Sequence, residues 1–194
     1  MPNPNLEYMK TRFLSILALF LMSCRDHRII QPALALPRPG TAVPGFEFAT
    51  QDGGQLKASA LVGKPTVLFL WSTHCPTSRR ALTAYRNILH DYVGHGVRVV
   101  MLSDDESDKE LALLPKVLAD SGIVGEVALA RGKLATVFDH TSSAPERDTA
   151  HVEFVLPAYL VIGRDGRVIT RSWGPDAREV RAAIDSVLAS RPAR

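Results

Sequence analysis

The stretch Thr66-Val67-Leu68-Phe69-Leu70-Trp71-Ser72-Thr73-His74-Cys75-Pro76-Thr77-Ser78-Arg79 decides how this chain is read. Its first six residues form a nearly unbroken apolar run of strand length, the pattern of a strand buried on both faces. Leu82, Tyr85, Leu89 and Tyr92 then recur at three- and four-residue steps, which predicts a helix that ends at Gly94 and Gly96. Cys75 therefore stands between a buried strand and the first turn of a helix. Unpaired amides and the helix dipole stabilise negative charge at such a place and favour the thiolate. Arg79, Arg80 and His74 add positive charge nearby. The thiolate is the nucleophile in disulfide exchange.

Outward from this stretch the pattern alternates. Val97 to Leu102 is a second buried strand, and Leu111, Leu114, Val117 and Leu118 mark a second helix that Pro115 either kinks or starts. Ser103-Asp104-Asp105-Glu106 lies at the turn between them and reads as helix N-capping. Val127 to Leu129 predicts a short strand and Lys133 to Phe138 a short helix. Ala158 to Ile162 and Val168 to Ser172 flank Gly163-Arg164-Asp165-Gly166-Arg167, and an Asp-Gly pair between apolar strands predicts a hairpin. Val180, Ala183, Ile184, Val187 and Leu188 form the apolar stripe of a closing helix. Upstream, Gln51-Asp52-Gly53-Gly54 is a turn. Strands alternating with helices, then a hairpin and a last helix, give an α/β sandwich with a mixed central β-sheet flanked by helices.

The Cys75 loop resembles the active site of the thioredoxin superfamily, most closely its TlpA-type, membrane-anchored branch of AhpC/TSA-like redoxins. That branch carries Trp-Cys-x-x-Cys after a strand ending in an aromatic residue and a small-residue pair. Leu156-Pro157 before Ala158-Tyr159-Leu160-Val161-Ile162, with Asp165-Gly166 beyond, is similar to the family's cis-proline segment and hairpin. The likeness covers roughly Pro44 to Leu188. It implies a thioredoxin-like sandwich in which a cis Pro157 faces the redox cysteine. It also implies that His74, Pro76, Leu156 and Pro157 bind the substrate chain, and that protein thiols or disulfides are the partners. An X-Pro bond has a small trans preference, so a cis bond there is accessible.

Three positions depart from the family pattern. Ser78 stands where the second cysteine belongs, His74 replaces the tryptophan, and Ala81 occupies the place of an acidic residue. The resemblance thus implies thiol–disulfide exchange through Cys75 as a monothiol, with Ser78 able to donate a hydrogen bond to its thiolate but unable to attack a disulfide. Two other functions compete with this one. Cys75-Pro76-Thr77, with Ser72 three residues earlier, echoes a single-cysteine peroxidase, although Leu68 stands where those enzymes hold a proline. A redox-inactive binding or assembly module is the remaining alternative. No cofactor or metal is expected: a copper site from Cys75 with His140 or His151 lacks a second sulfur ligand, since Arg79 occupies its place. The polar stretch 139–153 reads as a solvated loop near the Cys75 face.

The N-terminus reads as an address rather than a fold. Lys10 and Arg12 precede the uncharged run Phe13 to Met22, too short to span a bilayer, and Leu21-Met22-Ser23-Cys24 follows. A basic flank and a short apolar core form a secretory signal, and its end resembles the bacterial lipobox. Cys24 is then the lipidated residue and membrane anchor of an exported lipoprotein facing the periplasm; Arg25 after it suggests the outer membrane by analogy. Met1 and Met9 are both possible starts. Residues 25–45, with Pro32, Pro37, Pro39 and Pro44, read as a semi-extended linker, and residues 46–194 as the domain. A formal charge of +3 spread along the 194 residues is no nucleic-acid signature. A monomer is expected.

Overall fold

A computed structural model describes residues 36–138, 156–174 and 177–190. The segments outside them hold Cys24, His140, His151 and the stretch 139–153, so the lipobox, the copper alternative and that loop lie outside the described residues.

The strands are β1 (Glu47–Thr50), β2 (Gln55–Lys57), β3 (Thr66–Trp71), β4 (Arg98–Ser103), β5 (Glu126–Leu129), β6 (Ala158–Ile162) and β7 (Val168–Trp173). The helices are α1 (Pro76–Tyr92), α2 (Asp108–Asp120), α3 (Leu134–Phe138) and α4 (Arg178–Ala189). They form one mixed sheet in the order β2-β1-β5-β4-β3-β6-β7. β3 pairs in parallel with β4, and β4 with β5, while β6 and β7 return antiparallel on the other side. This is the α/β sandwich that the sequence pattern predicts and the thioredoxin-like fold that the resemblance implies.

β3 sits at the centre, buried at all six positions. Its side chains alternate between two cores, as strand geometry requires. Val67, Phe69 and Trp71 face α1, α2 and α4, where Tyr85, Leu114 and Ile184 meet them. Leu68 and Leu70 face the opposite side, with Leu134 and Phe138 of α3. Phe69 stacks on Tyr85, at 4.4 Å, and meets the tilted ring of Tyr159 at 4.8 Å. β4 is tied to β5 at its start by Arg98, whose guanidinium grips Glu126 with Nε at 3.0 Å and Nη2 at 2.8 Å.

Two local expectations change. Pro115 lies inside its helix rather than at its start: α2 begins seven residues earlier, at Asp108, where Ser107 and Glu110 form a capping box. The capping expected of residues 103–106 therefore comes from the next turn of chain.

The second change concerns residues 36–45, the distal part of the Pro-rich linker. Leu36 is 1% exposed and belongs to the α3-side core. Gly40 N–H donates to Val168 O at 2.7 Å, Val168 N–H to Thr41 O at 2.9 Å and Val43 N–H to Gly166 O at 3.1 Å. Arg171 donates to Leu36 O, and Arg167 Nη1 to Gly40 O at 2.7 Å. The reason lies in the sheet: β7 is an edge, and its unpaired backbone groups accept an extended neighbour. Composition shows that the segment is extended but not that an edge awaits it.

Two outcomes follow for stability. Leu36→Ala should destabilise by about 2–5 kcal/mol, the range for an emptied leucine site. A chain starting at Phe46 should melt below one starting at Leu34, and equal melting of the two in a thermal scan would show that the segment contributes nothing.

Candidate active site

The active loop is the four-residue bridge, Ser72 to Cys75, from β3 into α1. Trp71 ends the strand, and Cys75 is the N-cap of the helix, with extended backbone (φ −80°, ψ 113°). Pro76 takes the first helical position, where no N–H is needed and a fixed φ suits the helix. An N-cap side chain normally accepts from the third helical amide. Here Cys75 Sγ accepts from Ser78 N–H at 3.5 Å.

On its other side Sγ donates to Leu156 O at 3.6 Å, across 81 positions of sequence. Leu156-Pro157 is a cis peptide bond. The next residue along, Ala158, pairs with Leu70, so the β3–β6 register carries this segment to the cysteine. Pro157 O accepts in turn from Gly174 N–H at 2.9 Å. The two contacts of the sulfur have opposite needs. The Ser78 amide can stay bonded to a thiolate, whereas the bond to Leu156 needs the thiol proton.

The structure thus brings Cys75, Pro76, Ser78, Leu156 and Pro157 to one place. Ser78 plays its part differently from the sequence expectation: its backbone amide, not its hydroxyl, reaches the sulfur. The side chain is fully buried, and its Oγ accepts from Ser72 N–H at 3.4 Å. As the third helical residue, Ser78 aims its amide at the cap and its side chain beneath the loop. Cys75 is half-buried, and it is the free cysteine among the described residues. Arg79 and Arg80 are exposed on the first turns of α1.

The sequence model of the AhpC/TSA family matches residues 39–171, which include Cys75, Pro76, Ser78, Leu156 and Pro157. The chain belongs to the AhpC/TSA family. Several solved structures share the fold. A thiol:disulfide interchange protein of the thioredoxin family from Chlorobium tepidum is 22% identical, covers 78% of this chain and 98% of its own, and superposes with a TM-score of 0.58. The thioredoxin domain of a thiol-disulfide oxidoreductase from Bacteroides vulgatus is 12% identical, with 77% and 98% covered and a TM-score of 0.61. The peroxidoxin BcpB from Mycobacterium tuberculosis is 18% identical, with 80% and 99% covered and a TM-score of 0.60. No functionally curated protein matches the sequence. Membership of the AhpC/TSA family fits an oxidoreductase that works through a thiol.

In this family member the loop is anchored from β4 by a group that sequence reasoning misassigned. Asp105 is fully buried. Its Oδ1 accepts from Thr73 N–H at 2.9 Å and from Thr73 Oγ1 at 2.8 Å, and its Oδ2 from Ser103 Oγ at 2.6 Å. Charge-assisted bonds of this kind are the strong ones, so Thr73 is held two residues before the cysteine. Neighbouring Asp104 points elsewhere and accepts from Leu134 N–H at 3.1 Å, at the start of α3. Burial raises the Asp104 carboxyl above the usual range, Asp105 and Glu106 add like charge, and the Leu134 amide and His74 oppose the shift.

His74 points at the same cluster. Its Nδ1 lies 3.4 Å from Asp105 Oδ1 and 3.3 Å from Glu110 Oε1. Glu110 is held below the usual carboxylate range by the Ser107 and Glu106 amides and the Ser107 hydroxyl, with a smaller contribution from His74. These three residues are the group that could hold a metal ion, their ligand atoms lying within 4.8 Å of one another. Asp105 and Glu110 lie far along the chain from His74, and only the parallel pairing of β3 with β4 places them beside it.

The raised Asp104 gives a pH signature. Its charged form costs the folded state more than the unfolded one. That group's contribution is therefore fully present below its unfolded value and lost as pH rises through its folded value. Asp104→Asn keeps an acceptor for Leu134 and removes the charge. The variant should melt above wild type at pH 7, and the gap should close as pH falls below about 3.9. A gap independent of pH would mean that Asp104 is not strained by its charge.

Proposed function

We propose that this chain is an exported thiol–disulfide exchange protein that works through one nucleophile, Cys75, and relies on an outside thiol to finish each cycle. The observation that carries this reading is the placing of Cys75 Sγ at the N-cap of α1, between the Ser78 amide and the Leu156 carbonyl, with serine in place of a neighbouring thiol. Substrate sulfur would approach from the side of Leu156 and Pro157. The Cys75 thiolate attacks one sulfur of a substrate disulfide, the other sulfur leaves as a thiolate, and a mixed disulfide remains. Ser78 cannot attack that bond. An external thiol resolves it and restores Cys75. His74 and Pro76, the exposed neighbours of Cys75 in the chain, would contact the substrate chain.

Membership of the AhpC/TSA family favours one further reading, peroxide reduction by the same sulfur through a sulfenic acid that an external thiol reduces. It shares the nucleophile and differs in the oxidant.

The lipobox-like Leu21 to Cys24 supports attachment through Cys24 to a membrane facing the periplasm. Lipidation consumes the Cys24 thiol, which would leave Cys75 as the single free thiol of the sequence. In that case Cys24→Ala should move the protein from the membrane fraction to the soluble fraction and abolish labelling by a fatty acid. An unchanged distribution would count against the anchor.

The exchange reading is tested with an aromatic disulfide reagent that releases a coloured thiolate. The full chain should release one equivalent more than Cys75→Ser, and the adduct should persist. Ser78→Cys should release a second equivalent and clear the adduct unaided. Unaided clearance of the wild-type adduct would overturn the monothiol mechanism. Failure of Cys75 to react with either the disulfide or hydrogen peroxide would leave the domain a binding module. Fast turnover of peroxide with added thiol, and slow disulfide exchange, would select the peroxidase.

A further inference from the structure

We infer that His74, Asp105 and Glu110 form a binding site for a divalent transition-metal ion of the zinc class, beside the active loop and built independently of the Cys75 thiol. The distances carry the argument. An N–H···O bond spans about 2.7–3.2 Å, and one to a carboxylate is shorter still. His74 Nδ1 stands at 3.4 Å from Asp105 Oδ1 and 3.3 Å from Glu110 Oε1, too far for a good bond to either. Donor atoms bound at about 2.0–2.1 Å to a tetrahedral zinc ion lie about 3.3 Å from one another. The imidazole nitrogen thus stands from each carboxylate oxygen at the spacing of two ligands on one ion rather than that of hydrogen-bonded partners, and the three ligand atoms lie within 4.8 Å of one another.

The carboxylates are also held as ligands are held. Metal-binding groups are oriented by hydrogen bonds from an outer layer of protein. Asp105, fully buried, is fixed by the Thr73 amide and hydroxyl and by the Ser103 hydroxyl. Glu110 uses Oε2 to accept from Ser107 N–H and Glu106 N–H, both at 3.0 Å, which leaves Oε1 turned toward His74. Glu110 thereby presents to the imidazole an oxygen outside those bonds, whereas Asp105 presents Oδ1, the oxygen that also accepts from Thr73. Asp104 and Glu106 lie on the same turn of chain, so the surrounding field favours a cation.

One nitrogen and two oxygens suit a borderline ion such as Zn2+ better than the soft ions that seek sulfur or the hard ions that seek oxygen alone. Three protein ligands leave a fourth position for water. Two carboxylates and a neutral imidazole balance the charge of the ion.

The test is Zn2+ binding to the full chain, by equilibrium dialysis with metal analysis and by calorimetry. The variants are His74→Ala, Glu110→Gln and Cys75→Ser. Both metal-site variants change partly exposed side chains, and Gln at position 110 retains the capping box, so circular dichroism should show each one folded. Wild type and Cys75→Ser should each bind one equivalent more than His74→Ala and Glu110→Gln, or bind that equivalent at least about tenfold more tightly. The site is overturned if wild type binds no saturable Zn2+, if either His74→Ala or Glu110→Gln keeps wild-type stoichiometry and affinity to within less than tenfold, or if Cys75→Ser loses the ion, which would assign the binding to the thiol.

Discussion

The antiparallel pairing of β3 with β6 is the constraint on which the site rests. Leu70 opposite Ala158 fixes where both strands run out. Beyond that pair one chain turns into the Cys75 loop and the other arrives as Leu156-Pro157. A slip of one residue would put Phe69 and Leu68 on the wrong faces and carry the Leu156 carbonyl away from the sulfur. The register is strongly specified because both faces are buried. Phe69 is stacked on Tyr85 and packs at a tilt against Tyr159 on one side, and Leu68 and Leu160 share the core on the other. The packing that stabilises the sheet also positions the chemistry.

The parallel partner β4 supplies the second constraint. The buried Asp105, just past its last residue Ser103 and held by that residue's hydroxyl, reaches across to Thr73. The loop is therefore held from both neighbouring strands, through the Leu156 carbonyl on one side and the Asp105 carboxylate on the other. A buried carboxylate is costly unless its lone pairs are filled. Asp105 meets that condition, whereas Asp104, satisfied by one amide and burdened by like charges, does not meet it as well.

Much of this fold is legible in the sequence because its signals are local. The apolar runs at 66–71 and 97–102, the helical stripe of 82–92 and the Asp-Gly hairpin each depend on residues a few positions apart. Cys75 and Leu156-Pro157 are legible for a different reason, since a resemblance links segments that no local pattern connects. What escapes is what depends on a distant neighbour. The segment around Leu36 reads as linker, because proline composition says nothing of an open sheet edge. Asp105 reads as one of several capping acids, because nothing local separates it from Asp104. The hydroxyl of Ser78 looks like the group that meets the sulfur until the N-cap geometry gives that place to the amide.

The central claim is that Cys75 acts without an internal partner. The most direct measurement is the rate at which a preformed mixed disulfide on Cys75 is cleared as a function of added thiol concentration. The account predicts a rate proportional to that concentration, extrapolating to zero in its absence. A rate that stays finite without added thiol would reveal a resolving group within the protein and contradict the claim.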